Sequence, residues 1–121
     1  VRKEVYSVEE VLAKSVHSKI PNNLCKVDWD GDLIKMNSQR YEVFKTRGAA
    51  CVTCGITGVF FAKERTECCP TYHFNLYAIN KDGKEILMTK DHIIARSNGG
   101  PDKLDNYQTM CTYCNAEKGS K

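Results

Sequence analysis

The residues able to do chemistry fall into two sets with regular spacing. Cys51 and Cys54 form one CxxC, Cys111 and Cys114 a second, and two such pairs supply the four thiolates that a tetrahedral structural zinc requires. Residues 55 to 110, 56 in all, separate the pairs, so the loop that the metal closes must hold structure of its own. Within it stand Lys90-Asp91-His92-Ile93, then Ser97-Asn98-Gly99-Gly100, then Asn106; Asn115, Lys118 and Gly119 follow in or behind the second pair. An imidazole such as His92 suits the task of taking a proton from water near neutral pH. Asp91, on the opposite side of an extended chain, can face a bound cation or support the base from behind. The Asn115 amide oxygen suits a hard cation such as Mg²⁺, which keeps several waters in its shell. Asn106 can bond backbone groups on both sides of a loop, which would fix the curve from Ile94 to Asp105 and aim His92.

These groups need elements to carry them. Ser7 and Glu10 have capping-box spacing, and Val8, Val11, Leu12 and Val16 follow at helical intervals, which predicts a helix from Ser7 to Lys19. Pro21-Asn22-Asn23 breaks it. Asp30-Gly31 then sits between two short apolar-alternating runs, Cys25 to Trp29 and Leu33 to Met36, the pattern of a hairpin. Ser38 caps a second helix that puts Tyr41 and Phe44 on one face and stops at Gly48. Gly58 to Ala62 reads as a short strand, Cys68-Cys69-Pro70 as a loop, and Tyr72 to Ile79 as a strand with Phe74, Leu76 and Ala78 on one face. Asp82-Gly83 supplies a turn and Glu85 to Thr89 the returning strand, so that Asp91 and His92 arrive at the end of that hairpin. A Gly- and Asn-rich loop to Asp105 leads to a short helix from Cys111 to Lys118. On that helix Cys111, Asn115 and Lys118 share a face, while Cys114 is turned about 100° from Asn115. One helix thus presents thiolates to zinc and an amide to a second cation.

Composition narrows the class. A chain of 121 residues suits one small domain in which zinc replaces part of a core. Seven cysteines, an odd number, fit a metal site better than a framework of disulfides, which points to a reducing, cytoplasmic compartment. No apolar run approaches the roughly 20 residues of a membrane span, and nothing marks a signal peptide. The chain begins at Val1 rather than Met, as a trimmed chain or a piece of a longer one would. The formal charge of +3 falls to +1 once four thiolates and one Zn²⁺ are counted. Distribution says more: residues 35 to 65 hold Lys35, Arg40, Lys45, Arg47, Lys63 and Arg65 against Glu42 and Glu64, a stretch able to face phosphate. Cys25, Cys68 and Cys69 lack ligand spacing and read as core or loop thiols. His17 reads as a solvated helix residue, and His73 as a packed or exposed strand residue.

Residues 51 to 119 resemble the HNH nucleases, chiefly through Asp91-His92-Ile93-Ile94, Ser97-Asn98-Gly99-Gly100, Asn106, Cys111-Thr112-Tyr113-Cys114-Asn115 and Lys118-Gly119. The third motif residue, which can be His in that family, is Asn115 here. The resemblance implies an α+β fold: a small zinc-stapled ββα-metal core over 48–121, with an N-terminal extension of helix, hairpin and helix over 1–47. It implies a metal-dependent DNA endonuclease with a one-metal mechanism: His92 as general base, Asp91 and Asn115 holding Mg²⁺ or Mn²⁺, Asn106 as support, and 5′-phosphate and 3′-hydroxyl products. Lys118, Arg96 and Arg65 are the candidate phosphate contacts. DNA is the expected partner, and a homodimer or larger nuclease complex would raise a modest affinity. The competing reading keeps the zinc scaffold as a non-cleaving DNA-binding or assembly module.

Overall fold

The computed structural model describes residues 1–119. Its first element is one that the sequence pattern hides. Arg2–Ser7 forms strand β1, antiparallel to β4 (Phe60–Glu64) with Tyr6 opposite Phe61 and Ser7 opposite Phe60. Ser7 ends β1 and caps helix α1: its hydroxyl accepts the Glu10 N–H at 3.1 Å, and its own N–H donates to the Glu10 carboxylate at 3.0 Å. The helix covers only Val8–Ala13 rather than running to Lys19. Ser15 Oγ donates to the Leu12 carbonyl at 2.7 Å, and the Val16 N–H leaves the helix to donate to Met36 at 2.9 Å. A side-chain bond and a tertiary bond thus compete with the next helical turn.

Strands β2 (Lys26–Trp29) and β3 (Asp32–Lys35) form the expected hairpin. Both turn residues have positive φ, Asp30 at 53° and Gly31 at 97°, as a two-residue Asp-Gly turn requires. Helix α2 (Gln39–Arg47) starts on the Ser38 hydroxyl, ends at Gly48 and buries Tyr41, Val43 and Phe44. Lys63 does not face phosphate. It is fully buried, paired with Glu4 at 2.6 Å and Asp32 at 2.7 Å, and it donates to the Trp29 carbonyl. An ammonium removed from water needs this full set of partners, and it ties β1, β4 and the hairpin together.

Strands β5 (His73–Ile79), β6 (Glu85–His92) and β7 (Tyr107–Cys111) complete a five-stranded antiparallel sheet in the order β1-β4-β5-β6-β7. Phe74, Leu76 and Ala78 point into the core with Phe61, Met88 and Met110, and Tyr6, Trp29 and Phe74 meet edge to face. Strand β6 changes partner along its length. Residues 85–87 pair with β5, whereas residues 88–92 pair with β7, placing Asp91 opposite Gln108 and His92 opposite Tyr107. Asp91 and His92 thus end the returning strand of the β5–β6 hairpin, as the sequence predicts, on the stretch of β6 that pairs with β7. The first turn of α2 fills the fork between β5 and β6. Arg40 donates to the Phe74 carbonyl at 2.9 Å, and Tyr41 Oη accepts the Phe74 N–H at 3.2 Å. Helix α3 (Thr112–Lys118) follows β7 directly, giving strand, strand, helix from β6 onward. The class is α+β, and among the described residues no helix is long and apolar enough to cross a membrane.

Candidate active site and metal centre

Two knuckles bring the cysteines together. Cys51 and Cys54 lie on the turn after α2, pinned by the Gly55 N–H to the Cys51 carbonyl at 2.9 Å and by Val52 N–H to Thr109 at 3.0 Å. Cys111 ends β7, and its sulfur caps α3 by accepting the Cys114 N–H at 3.5 Å. The four Sγ atoms lie within 4.8 Å of one another, Cys54 and Cys111 at 3.9 Å. A tetrahedral Zn²⁺ with bonds of about 2.3 Å would space its sulfurs about 3.8 Å apart, so the cluster is compatible with structural zinc. Its electrostatics agree. Burial pushes the Cys51 thiol up, but backbone N–H donors outweigh burial and bring it down to about 6. Cys111 is held above the usual thiol range chiefly by burial, and Cys114 chiefly by the Cys111 sulfur. Four thiols crowded this way resist collective ionisation, and a dication relieves that repulsion.

The second constellation lies at the other end of α3. Asp91, His92, Arg96, Asn115 and Lys118 border one open cleft of about 410 Å³, together with Lys90. The Asp91 side chain is only 8% exposed, and its Oδ2 accepts Lys118 Nζ at 2.7 Å and Gln108 Nε2 at 2.9 Å. Lys118 also donates to the His92 carbonyl and, at 3.5 Å, to that of Ile93. A positive charge is thus ringed by one carboxylate and two carbonyl oxygens, the donor type that hard cations select. Asn115 gives its Nδ2 to Thr89 Oγ1 at 3.1 Å, so its amide oxygen is the half not used in that bond. One buried carboxylate and one amide oxygen on a shared cleft fit a cation such as Mg²⁺, which retains waters in its shell.

His92 is oriented from two sides. The Tyr107 ring meets it edge-on at 5.0 Å, and its Nε2 lies 2.7 Å from Asp102 Oδ1. That bond holds the Asp102 carboxyl below its ordinary range, and it favours the tautomer with the proton on Nε2, leaving Nδ1 the acceptor. Sequence reasoning missed Asp102. Its signal was slight: an acid ten residues beyond the His, just after Gly99-Gly100-Pro101, in a loop that must curl back. Asn106 is what curls it. Buried at 5% exposure, it accepts the Ile94 N–H at 2.8 Å and donates to the carbonyls of Ile94 and Pro101 at 3.0 and 2.9 Å. Gly100 passes so near that a Cβ there would sit 1.7 Å from the Ile94 oxygen.

Arg96 is 73% exposed at the cleft edge, 3.7 Å from Asp102. Arg65 is not brought to the cleft; its guanidinium lies over the Tyr72 ring at 5.4 Å, just past the end of β4. His17 is exposed, Cys25 is buried, and Cys68 and Cys69 lie in a loop. His73 is half-buried, and burial, then the Arg40 charge, pushes its pKa down.

Comparison with known families selects the same stretch of chain. Residues 80–121 match the HNH endonuclease family. The HNH match begins at the turn before β6 and takes in β6, the Asn106 loop, β7 and α3, so it holds the whole cleft constellation and one cysteine pair. Cys51 and Cys54, which complete the sulfur cluster, lie outside it. No curated protein and no solved structure gives a significant match.

Proposed function

We propose that residues 48–121 form a metal-dependent DNA endonuclease that hydrolyses phosphodiester bonds with a single cation and leaves 5′-phosphate and 3′-hydroxyl ends. The observation that carries this reading is the arrangement of His92: its Nε2 on Asp102, its ring against Tyr107, and its cleft shared with Asp91 and Asn115. His92 Nδ1 takes the proton from an attacking water, and Asp102 supports the imidazolium that forms, as in other acid–histidine pairs. A divalent cation, Mg²⁺ or Mn²⁺, held by Asp91 and Asn115 would supply Lewis acidity at the scissile phosphate and the leaving oxygen. Asn106 keeps the loop that carries Asp102 against β6, and so keeps the base aimed. Arg96 and Lys118, both cations of the cleft, offer contacts to the phosphates on either side. For Lys118 that contact competes with Asp91, which now holds its ammonium. Zinc on Cys51, Cys54, Cys111 and Cys114 fixes the start of α3, and with it Asn115.

Plasmid nicking with Mg²⁺ or Mn²⁺ tests this. His92→Ala should reduce cleavage by about 10²- to 10⁴-fold, the usual contribution of a general base, and Asp102→Asn should reduce it less while leaving DNA binding intact. Cutting at the parent rate by His92→Ala would refute the assigned base. No cutting by the parent on any substrate would favour the non-cleaving module.

A further inference from the structure

Outside the cleft, the first turn of α2, the β2–β3 hairpin and the segment before β5 enclose a cavity of about 520 Å³. Its size is that of an ordinary ligand pocket, and its charge is one-sided. Lys26, Lys35 and Arg40 line it with His73, and no acidic side chain does so among the described residues. Lys26 and Lys35 stand directly opposite each other across the hairpin, an arrangement in which like charges repel. Neither has an ion-pair partner among the described residues, although Asp32 of the same hairpin is paired twice, to Lys3 and to Lys63. Arg40 is held by neutral groups only, Asn75 Oδ1 at 3.1 Å and the Phe74 carbonyl at 2.9 Å. Asp28 shares the hairpin face of Lys26 and Lys35, but its carboxylate accepts the Gly31 N–H at 2.8 Å and does not line the cavity, so the charged lining is cationic. Its floor is made of Leu33, 61% exposed, and the Tyr72 ring, near whose centroid Lys3, Arg65 and Lys63 lie at 4.8, 5.4 and 5.7 Å.

A cationic rim above an apolar and aromatic floor matches one nucleotide whose base has left its stack: phosphate on the lysines, base on the floor. A paired base, stacked on both faces, cannot lie on that floor. The cavity is also joined to the cleft. Gln39 Oε1 accepts from both Lys90 and Tyr107 at 3.2 Å, and Lys90 and Arg40 are close enough to repel. Arg96, Lys90, Arg40, Lys35 and Lys26 thus mark a path of positive charge across the start of α2.

We infer that this cavity binds an unpaired nucleotide of the DNA strand flanking the cleavage point, its phosphate between Lys26 and Lys35 and its base against Leu33 and Tyr72. The inference rests on the endonuclease reading of the cleft, but its test reads binding, not cutting. The zinc-loaded full chain carrying His92→Ala is titrated against a fluorescent oligothymidine strand and a blunt duplex, by anisotropy over a range of salt. Adding Lys26→Ala with Lys35→Ala should weaken binding of the single strand and lower its salt slope by about 0.7 to 1.4, one or two phosphate contacts. Adding Leu33→Ser with Tyr72→Ala should weaken it about tenfold or more, the loss of one stacked base, with the salt slope unchanged. Lys84→Ala, on the distant β5–β6 turn, should do neither. Thermal melting shows that each variant is folded, and Lys26 and Lys35 are exposed, so their loss is compatible with folding. Unchanged single-strand affinity in the lysine variant, or equal losses on single strand and blunt duplex, would overturn the inference. Parent protein that nicks plasmid in the same preparation would still leave the endonuclease reading standing.

Discussion

The cleft and the cavity lie on either side of the start of α2 and treat charge in opposite ways. In the cleft Asp91 is matched by Lys118 and His92 by Asp102, each at 2.7 Å, and the loop between them is bonded into place. In the cavity Lys26 and Lys35 face each other, and among the described residues no acid lines it. A self-neutralised network has its geometry set before any substrate arrives, which is what a proton-transfer site needs. An unneutralised one lowers its own energy only when an anion comes from outside, which is what a binding site needs. On the function proposed above, the difference teaches that positioning and attraction belong to separate parts of the molecule.

The comparison breaks most completely if the scaffold under both regions is removed. Cys51 and Cys111 belong to the same buried cluster as Trp29, Ile34 and Tyr41, so a chelator strong enough to extract zinc should unfold cleft and cavity together. Structural zinc is worth about 10–16 kcal/mol of apparent folding energy in small domains, and circular dichroism with metal analysis would record the loss. A chain that kept its dichroism without zinc would contradict the structural role. Withdrawing Mg²⁺ alone should leave the signal untouched.

A sharper division follows from single sites. His92→Ala should lower cutting by about 10²- to 10⁴-fold and spare single-strand affinity, whereas the Lys26 and Lys35 double variant should weaken affinity and spare the rate at saturating DNA. Nicking and anisotropy on both proteins give the cross, and any variant that moved both readouts equally would merge the two regions. Asn106→Ala comes next in size. It removes the partner of the part-buried Ile94 N–H and loses two further bonds, a cost of about 1–3 kcal/mol, visible as a lowered melting temperature with reduced nicking.

The smallest effect is on pH. Asp32 is held below the usual carboxylate range chiefly by Lys63, and Glu85 chiefly by Arg2. Burial raises Glu64, but hydrogen bonds from Asn75, Tyr77 and Arg2 outweigh it and bring it down. Folded values below unfolded ones mean stability that is present above the unfolded pKa and lost as pH falls through the folded one. The contribution of these carboxylates to the melting temperature should therefore hold from neutrality to about pH 5 and be lost below about pH 4. Arg2→Met should shrink that fall. A profile identical in the variant would remove these ion pairs from the account.

What could be read from the chain follows from how local each feature is. The four cysteines, Asp91-His92 and Asn115 declare themselves because a knuckle, a strand end and a helix face are each written within four residues. Strand β7 was invisible, since Tyr107 to Cys111 is five residues wedged against a CxxC that reads as the helix start. Strand β1 was hidden by its charges, Arg2, Lys3 and Glu4, which suit an edge strand but show no apolar alternation. Asp102 reads as one more residue of the Gly- and Asn-rich loop; only the closed loop brings it to His92. The cavity could not be read at all, for residues 26–41 and 71–73 are far apart in the chain and meet only once the separate β2–β3 hairpin and the segment before β5 have folded together.

The Asn106 bonds also make the segment from Ile94 to Asn106 a closed ring with its own fixed circumference. Its inner contacts are backbone atoms, the Asn106 amide and the bare Gly100; Arg96 and Ser97 border the cleft from the outside. Such a ring behaves as an exchangeable part. Its outward letters can be rewritten while the fastening stays the same, so what the ring presents to the cleft and the position in which it holds Asp102 against His92 can change independently.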